Sequence, residues 1–298
     1  MEYHVTPFEL TDQMPEQEYT SVKSQQQSHN NPEDGQLKLL LCEMLFFTQS
    51  LPLADAQKSA KVVYVGAAPG THMPPLLGQL MQATKWTFDF YDPIDFDRRL
   101  KSMAQQFPNR LRLYKQYFTD TDAAKYTNGE VLFISDIRDN DHSKGKQRHV
   151  QEDIAQDMAM QQRWVQTIKP VAAYLKFRFP WPEPGGEELS DFSYMRGRIF
   201  MQAFAPKNST ETRLFVKGGD VDTSKTYYPK HYDNKMAYVN NVLRPTKDFD
   251  YKLAITVCRD FESHFHGCRS VDLLTDTKRC WLELKNRLSE RQPKRLAR

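Results

Sequence analysis

The sequence predicts an α/β fold with a mostly parallel central sheet, helices on both faces and an antiparallel edge. Three observations carry that reading. Short apolar runs alternate with helical stretches between residues 61 and 179, the pattern of parallel strands joined by crossover helices. A turn of small residues, Gly66-Ala67-Ala68-Pro69-Gly70, follows the first of these runs, where open α/β sheets place their ligands. Two further β-rich runs, 198–204 and 211–217, come late enough in the chain to close the sheet with antiparallel strands.

Taken in order, residues 1–34 are polar and rich in Gln and Glu and read as an arm or lid. Asp34 is a plausible N-cap for an amphipathic helix in which Leu37, Leu40, Leu41, Met44 and Leu45 recur at helical spacing. Strands follow near 61–65, 86–91, 110–115, 130–135 and 172–179, with helices near 73–82, 96–106, 119–126 and 150–168 between them. Segments 230–243 and 269–288 read as helices packed on the same body. The expected organisation is an arm over 1–34, one domain over 35–285, and a basic tail over 286–298. Between Lys285 and Arg298, six Lys or Arg residues face one acid, Glu290.

The 298 residues are 39% hydrophobic and 12% aromatic, a globular composition without the roughly 20-residue apolar run of a membrane helix. The amino terminus lacks the basic-then-apolar order of a secretory signal. Cys42, Cys258, Cys268 and Cys280 are too few and too scattered for a disulfide framework. Cys258, His264, His266, Cys268 and Cys280 raise the question of zinc, yet no Cys-x-x-Cys pair is present, so reduced thiols and no metal are expected. The net charge of +3 decides little, because nucleic-acid binding depends on where charge sits.

The small-residue turn is neither a Walker loop nor Gly-x-Gly-x-x-Gly, which argues against pyrophosphate binding. Its composition resembles the first motif of the class I methyltransferases, Rossmann-like enzymes in which this loop meets the amino-acid end of S-adenosylmethionine. Asp92, ending the second strand, stands where a carboxylate accepts hydrogen bonds from ribose hydroxyls. Asp89 is the competing candidate, with surface solvation as its simpler explanation.

Methyl transfer to a ribose hydroxyl is an in-line displacement requiring alignment and help with a poorly acidic proton. A lysine can supply that help, held by carboxylates and tuned by neighbouring positive charge. Lys38 on the first helix, Asp136 after the fourth strand, Lys176 within the fifth, and Glu211 before a later strand follow the order of the Lys-Asp-Lys-Glu tetrad of RNA 2′-O-methyltransferases. Lys176 interrupts an apolar strand, a costly position unless it is paired.

The runs Gly35-Gln36-Leu37-Lys38, Val63-Tyr64-Val65-Gly66 with Ala68-Pro69-Gly70-Thr71-His72, Ser135-Asp136 with Arg138, and Lys176 with Arg178 resemble the poxvirus cap-specific mRNA 2′-O-methyltransferase family, whose members also serve as the small subunit of the poxvirus poly(A) polymerase. The match covers roughly residues 19–245. It implies a class I methyltransferase domain and S-adenosylmethionine as cofactor, with Gln36, Tyr64, Gly66, Ala68, Gly70, His72, Asp92, Phe118, Asp136 and Arg138 around it. Lys176 becomes the base or orienting group. Capped mRNA and a poly(A) polymerase catalytic subunit are the implied partners, and the cytoplasm, in a viral factory or virion, is the implied location.

A methylated guanine is a flat cation, suited to a sandwich between aromatic rings with carboxylates at its edge. By the same resemblance, Tyr19 and Trp181 stack on the cap while Glu183 and Asp233 contact the base edge. Asn208 departs from the family, which has a tyrosine there. RNA beyond the cap is expected in a groove lined by Arg178, Lys207 and Arg213, with Arg178 beside the cap itself. Two other readings share these motifs: a methyltransferase for internal ribosomal or transfer RNA riboses, and a processivity partner of a poly(A) polymerase.

Overall fold

A computed structural model of the chain describes residues 8–19, 32–127, 129–137, 150–181, 191–206, 208–246, 248–274 and 279–290. Its main sheet has seven strands. Five of them, β1 (Lys61–Val65), β2 (Thr87–Tyr91), β3 (Leu111–Tyr114), β4 (Val131–Ser135) and β5 (Ala172–Phe177), run parallel. Strands β7 (Arg198–Phe200) and β8 (Thr212–Lys217) complete it antiparallel, in the order β3-β2-β1-β4-β5-β8-β7. The predicted parallel core with an antiparallel edge is therefore observed. A separate pair, β6 (Phe192–Met195) with β9 (Ser224–Tyr227), was not anticipated. Three of the four β9 residues are exposed and polar, so no apolar alternation marks it.

Alternation along each strand divides the core into two layers. Val62, Tyr64, Phe88, Phe90, Ile134, Tyr174 and Phe215 face one layer, packed with helix α1 (Pro32–Ser50) and helix α2 (Met73–Ala83). Val63, Val65, Phe133, Ala173, Leu175, Phe177 and Leu214 face the other, covered by helices α5 (Val150–Ile168) and α6 (Pro229–Tyr238). Helix α3 (Arg98–Gln106) and the short α4 (Asp120–Ala123) complete the crossovers. Because α1 starts at Pro32, Asp34 lies inside its first turn rather than at the cap, in keeping with the preference of proline for the first helical position.

The carboxyl half adds a helix the sequence reading passed over, α7 (Phe249–His264). Its buried stripe of Leu253, Ala254, Val257, Cys258 and Phe261 has helical spacing and packs with α1 in one core layer. Among the described residues of segment 269–288, expected as one helix, lie α8 (Ser270–Leu273) and α9 (Arg279–Glu290). The amino-terminal arm is not wholly polar in its packing. Phe8 is buried, the carbonyl of Phe8 accepts from the Met201 amide at 2.7 Å, and Leu10 donates to the Ile199 carbonyl at 2.8 Å.

Candidate active site

The carboxyl ends of β1, β4 and β5 lie side by side, and the loops leaving them build the site. Asp136, one residue past β4, donates its amide to the Val65 carbonyl at 2.8 Å, and Gly66 donates to Tyr91 at 2.9 Å. Gly66 has φ +81°, and a Cβ there would stand 2.8 Å from the Asp136 carbonyl carbon. Glycine is thus required twice, by the backbone angle and by the close passage of the β4 exit loop.

Lys38, Asp136, Lys176 and Glu211 converge. Lys176 Nζ lies 2.9 Å from Asp136 Oδ1 and 3.9 Å from Glu211 Oε2, and the other oxygen of Glu211 is 3.3 Å from Lys38 Nζ. All four side chains are less than a fifth exposed. A fifth charge completes the group. Arg213, expected to line an RNA groove, is instead buried, with its guanidinium 2.7 Å from Asp136 Oδ1. It pairs in register with Lys176 across β5 and β8, so its side chain falls behind the tetrad rather than on the surface. Gln202 braces it, accepting from Arg213 Nε at 3.2 Å while donating to the Glu211 carbonyl at 2.9 Å. Burial pushes the Asp136 carboxyl up, but Arg213 and Lys176, with Lys38 beyond, outweigh it and hold the group at about 2.

A cavity of about 720 Å³ opens beside this cluster, lined among others by Gly66, Ala68, Asp92, Phe118, Asp136 and Lys176. Asp92 accepts from the Ala68 amide at 3.0 Å and the Ile94 amide at 2.8 Å. A carboxylate has further lone pairs for a ligand. Burial raises its pKa despite these bonds. Asp89, the competing candidate with surface solvation as its simpler explanation, is neither solvated nor a cavity-lining residue: it is buried and bound by Lys61 at 3.2 Å and Arg112 at 3.4 Å.

Gln36, Tyr64, Gly70 and His72 do not line the cavity. Gly70 belongs to the loop itself, and Gln36, Tyr64 and His72 brace it from below. Glu43 of α1, unremarked in the sequence, is buried and accepts from the Tyr64 hydroxyl at 2.7 Å, and its other oxygen lies 2.7 Å from His72 Nε2. Gln36 Oε1 meets His72 Nδ1 at 2.8 Å and the Thr71 hydroxyl at 2.6 Å. One helix therefore pins both shoulders of the loop through Gln36 and Glu43, and reaches the tetrad through Lys38. Arg138 lies outside the described residues. The cavity also takes its wall from Ile94, Tyr117, Asp157, Met160 and Trp164, none of them singled out in the sequence. The last three sit at i, i+3 and i+7 on α5, one helix face.

Four of the cap candidates gather at the same sheet edge. The rings of Tyr19 and Trp181 are 5.5 Å apart between centroids, and the Arg178 guanidinium sits 4.1 Å over Trp181. Burial raises the Tyr19 phenol to about 12, with Asp233 adding to the shift and Arg178 opposing it. Asp233 itself is buried on α6. Tyr19 donates its amide to Asn234 at 3.0 Å, which ties the arm to that helix. Asn208 is exposed. Glu183 and Lys207 lie outside the described residues.

Cys258 and Cys268 are buried thiols, raised by burial to about 12 and about 11. No helix among the described residues is long and apolar enough to cross a membrane.

The family model for the poly A polymerase regulatory subunit matches residues 5–265. The cap-specific mRNA (nucleoside-2′-O-)-methyltransferase of fowlpox virus strain NVSL is 33% identical over 226 residues, covering 73% of this chain and 70% of the relative. The protein of the same name from myxoma virus strain Lausanne is 30% identical over 267 residues, covering 82% of this chain and 72% of the relative. By these matches, over nearly the full span of the sheet and both core layers, the chain belongs to the poly(A) polymerase regulatory subunit family.

Proposed function

We propose that the protein is a cap-specific mRNA (nucleoside-2′-O-)-methyltransferase, transferring a methyl group from S-adenosylmethionine to the ribose 2′-hydroxyl of the first transcribed nucleotide. The observation that carries the reading is the ion-paired run Lys38, Glu211, Lys176 and Asp136 beside a ligand-sized cavity at the carboxyl edge of the sheet.

The cavity suits the cofactor. Gly66 lets the first loop pass close to the β4 exit loop so that both line the cavity, Asp92 offers carboxylate oxygens for ribose hydroxyls, and Phe118 with Trp164 gives apolar walls for a base. When bound, S-adenosylmethionine supplies an electrophilic methyl on a positively charged sulfur. The remaining work belongs to the protein. Asp136 and Glu211 hold the Lys176 ammonium in place, and Lys38 and Arg213 anchor those carboxylates from behind. Three cations against two carboxylates leave surplus positive charge where the ribose oxygen gains negative charge in the transition state. Lys176 lines the cavity; as the ammonium it orients that oxygen, and only as the neutral amine, its own proton first lost to solvent, is it the base that takes the hydroxyl proton. Tyr19, Trp181 and Asp233 hold the cap, and a poly(A) polymerase catalytic subunit is the proposed protein partner.

Incubation with radiolabelled S-adenosylmethionine and short capped or uncapped RNA, followed by nuclease mapping, tests the reading. Label on the first transcribed nucleotide of capped RNA alone is expected. Equal label on uncapped RNA favours an internal-ribose methyltransferase instead.

A further inference from the structure

Glu211 stands at the end of the connection between β7 and β8. Among the described residues of that connection, 201–206 and 208–211, none belongs to a helix or strand. An irregular backbone holds a side chain in one place only if its own polar groups are tied down. Phe204, within it, has φ +57°, a conformation unfavourable for an aromatic residue and kept only where the surroundings impose it.

Helix α6 and the π-helical turn that continues it (Val239–Leu243) supply the ties. The Tyr232 hydroxyl donates to the Thr210 carbonyl, one residue before Glu211. The same oxygen lies 2.8 Å from the Thr212 hydroxyl, which is 3.2 Å from the Phe177 carbonyl, one residue after Lys176. Asn240 donates to the Ser209 carbonyl at 3.0 Å, and the Ser209 hydroxyl accepts from the Glu211 amide at 3.1 Å. Arg244 donates to the Gln202 and Ala205 carbonyls, each at 2.7 Å. Tyr232 and Asn240 are buried, and neither lines the cavity. Burial drives the Tyr232 phenol far above its ordinary pKa, so the hydroxyl keeps its proton and stays a donor.

We infer that Tyr232 and Asn240 are positioning residues for methyl transfer, fixing the main chain that aims Glu211 at Lys176 and Lys38. The inference rests on the function proposed above. Glu211 bridges the two lysines, 3.9 Å from Lys176 Nζ through one oxygen and 3.3 Å from Lys38 Nζ through the other. A backbone slip of about 1 Å therefore breaks the run of pairs, and a misplacement of that size can cost up to about 10²-fold in rate. Core packing is the competing account. It explains the buried ring of Tyr232 but not the hydroxyl, because phenylalanine fills the same space without a polar group to satisfy. Asp233, about 100° further round the helix, acts on Tyr19 instead, so loosening the Glu211 backbone leaves the cap slot in place.

The test uses the full-length protein and two variants, Tyr232→Phe, which loses only the hydroxyl, and Asn240→Ala. Methyl transfer to a short capped RNA gives kcat and KM, and calorimetry gives the affinity and stoichiometry of S-adenosylmethionine binding. Titrations give the binding preference for capped over uncapped RNA. In each variant kcat is expected to fall by about tenfold, with KM, cofactor stoichiometry and cap preference unchanged, the split that marks an interaction made in the transition state. Unaltered kcat in a variant, beside an active unaltered protein, overturns the assignment. A cofactor stoichiometry that falls in step with kcat in both variants overturns it too, since the residues then only keep the chain folded. Should Tyr232→Phe alone fail to fold, Asn240→Ala is read by the same criteria. Loss of cap preference also contradicts the inference, because the two residues would then act through the cap slot. No transfer by the unaltered protein is a different failure, which removes the proposed function and this inference with it.

Discussion

Asp136 lies between two cations, Lys176 at 2.9 Å and Arg213 at 2.7 Å. Lys176→Ala should abolish methyl transfer, a loss of at least roughly 10²-fold, while cofactor affinity measured by calorimetry stays near normal; normal turnover would remove Lys176 from the mechanism. Asp136 is held at about 2, below its unfolded value of about 3.9. A depressed carboxyl contributes stability above the unfolded pKa and loses it as pH falls through the folded one. Denaturant titrations between about pH 5 and pH 2 should therefore show roughly 2 kcal/mol of acid-dependent loss in the native protein that Asp136→Asn lacks. Equal pH slopes in the two would contradict the pairing. Lys176 was legible in the sequence because it breaks an apolar strand. Arg213 carries the same signal within Thr212-Arg213-Leu214-Phe215, yet its partner lies beyond a different strand. Only the register of β5 against β8 shows that it faces inward.

Helix α1 is the element that joins the proposed cofactor loop to the four-residue charge cluster. Gln36 and Glu43, seven residues apart, share the face that meets the loop, while Lys38 reaches Glu211. Glu43→Gln weakens two hydrogen bonds to one carboxylate, so cofactor dissociation should rise by roughly tenfold, the worth of one charge-assisted bond, with RNA affinity unaltered. Cofactor affinity equal to wild type would show that the loop holds its shape without α1. Gly66→Ala meets the Asp136 backbone and an unfavourable φ, costing at least about 1–2 kcal/mol; an unchanged midpoint in thermal unfolding would contradict the close passage of the loops. The parallel strands and the small-residue turn were readable from periodicity and composition. Glu43 was not, because a carboxylate at one position of an amphipathic helix normally marks the solvent face, and here it marks a buried bridge. Strands β6 and β9 escaped for the opposite reason, being short and largely polar on the outside.

At the scale of the molecule, the proposed cap slot and the proposed methyl-transfer cavity share one edge of the sheet because β5 serves both, with Lys176 inside it and Trp181 four residues past its end. The arm closes the slot from the other side, stitched to β7 through Phe8 and Leu10 and to α6 through Tyr19. Tyr19 and Trp181 touch, and admitting a third ring requires them to part, since stacked aromatic centroids sit at least about 4.5 Å apart. Trp181→Ala should cut the preference for capped over uncapped RNA by the worth of one stacked base, roughly 1–3 kcal/mol, read from paired binding titrations; an unchanged preference would take Trp181 out of cap recognition. The four charged residues were legible in their order along the chain, whereas the closed state of the slot depends on contacts 162 residues apart in sequence, between Tyr19 and Trp181. The most direct measurement compares two capped RNAs that differ only in the first transcribed nucleotide, one with ribose and one with 2′-deoxyribose, as acceptors of radiolabelled methyl. Label should enter the ribose form and be absent from the deoxyribose form; equal label in both would place the methyl on a base or on the cap, and contradict transfer to the 2′-oxygen.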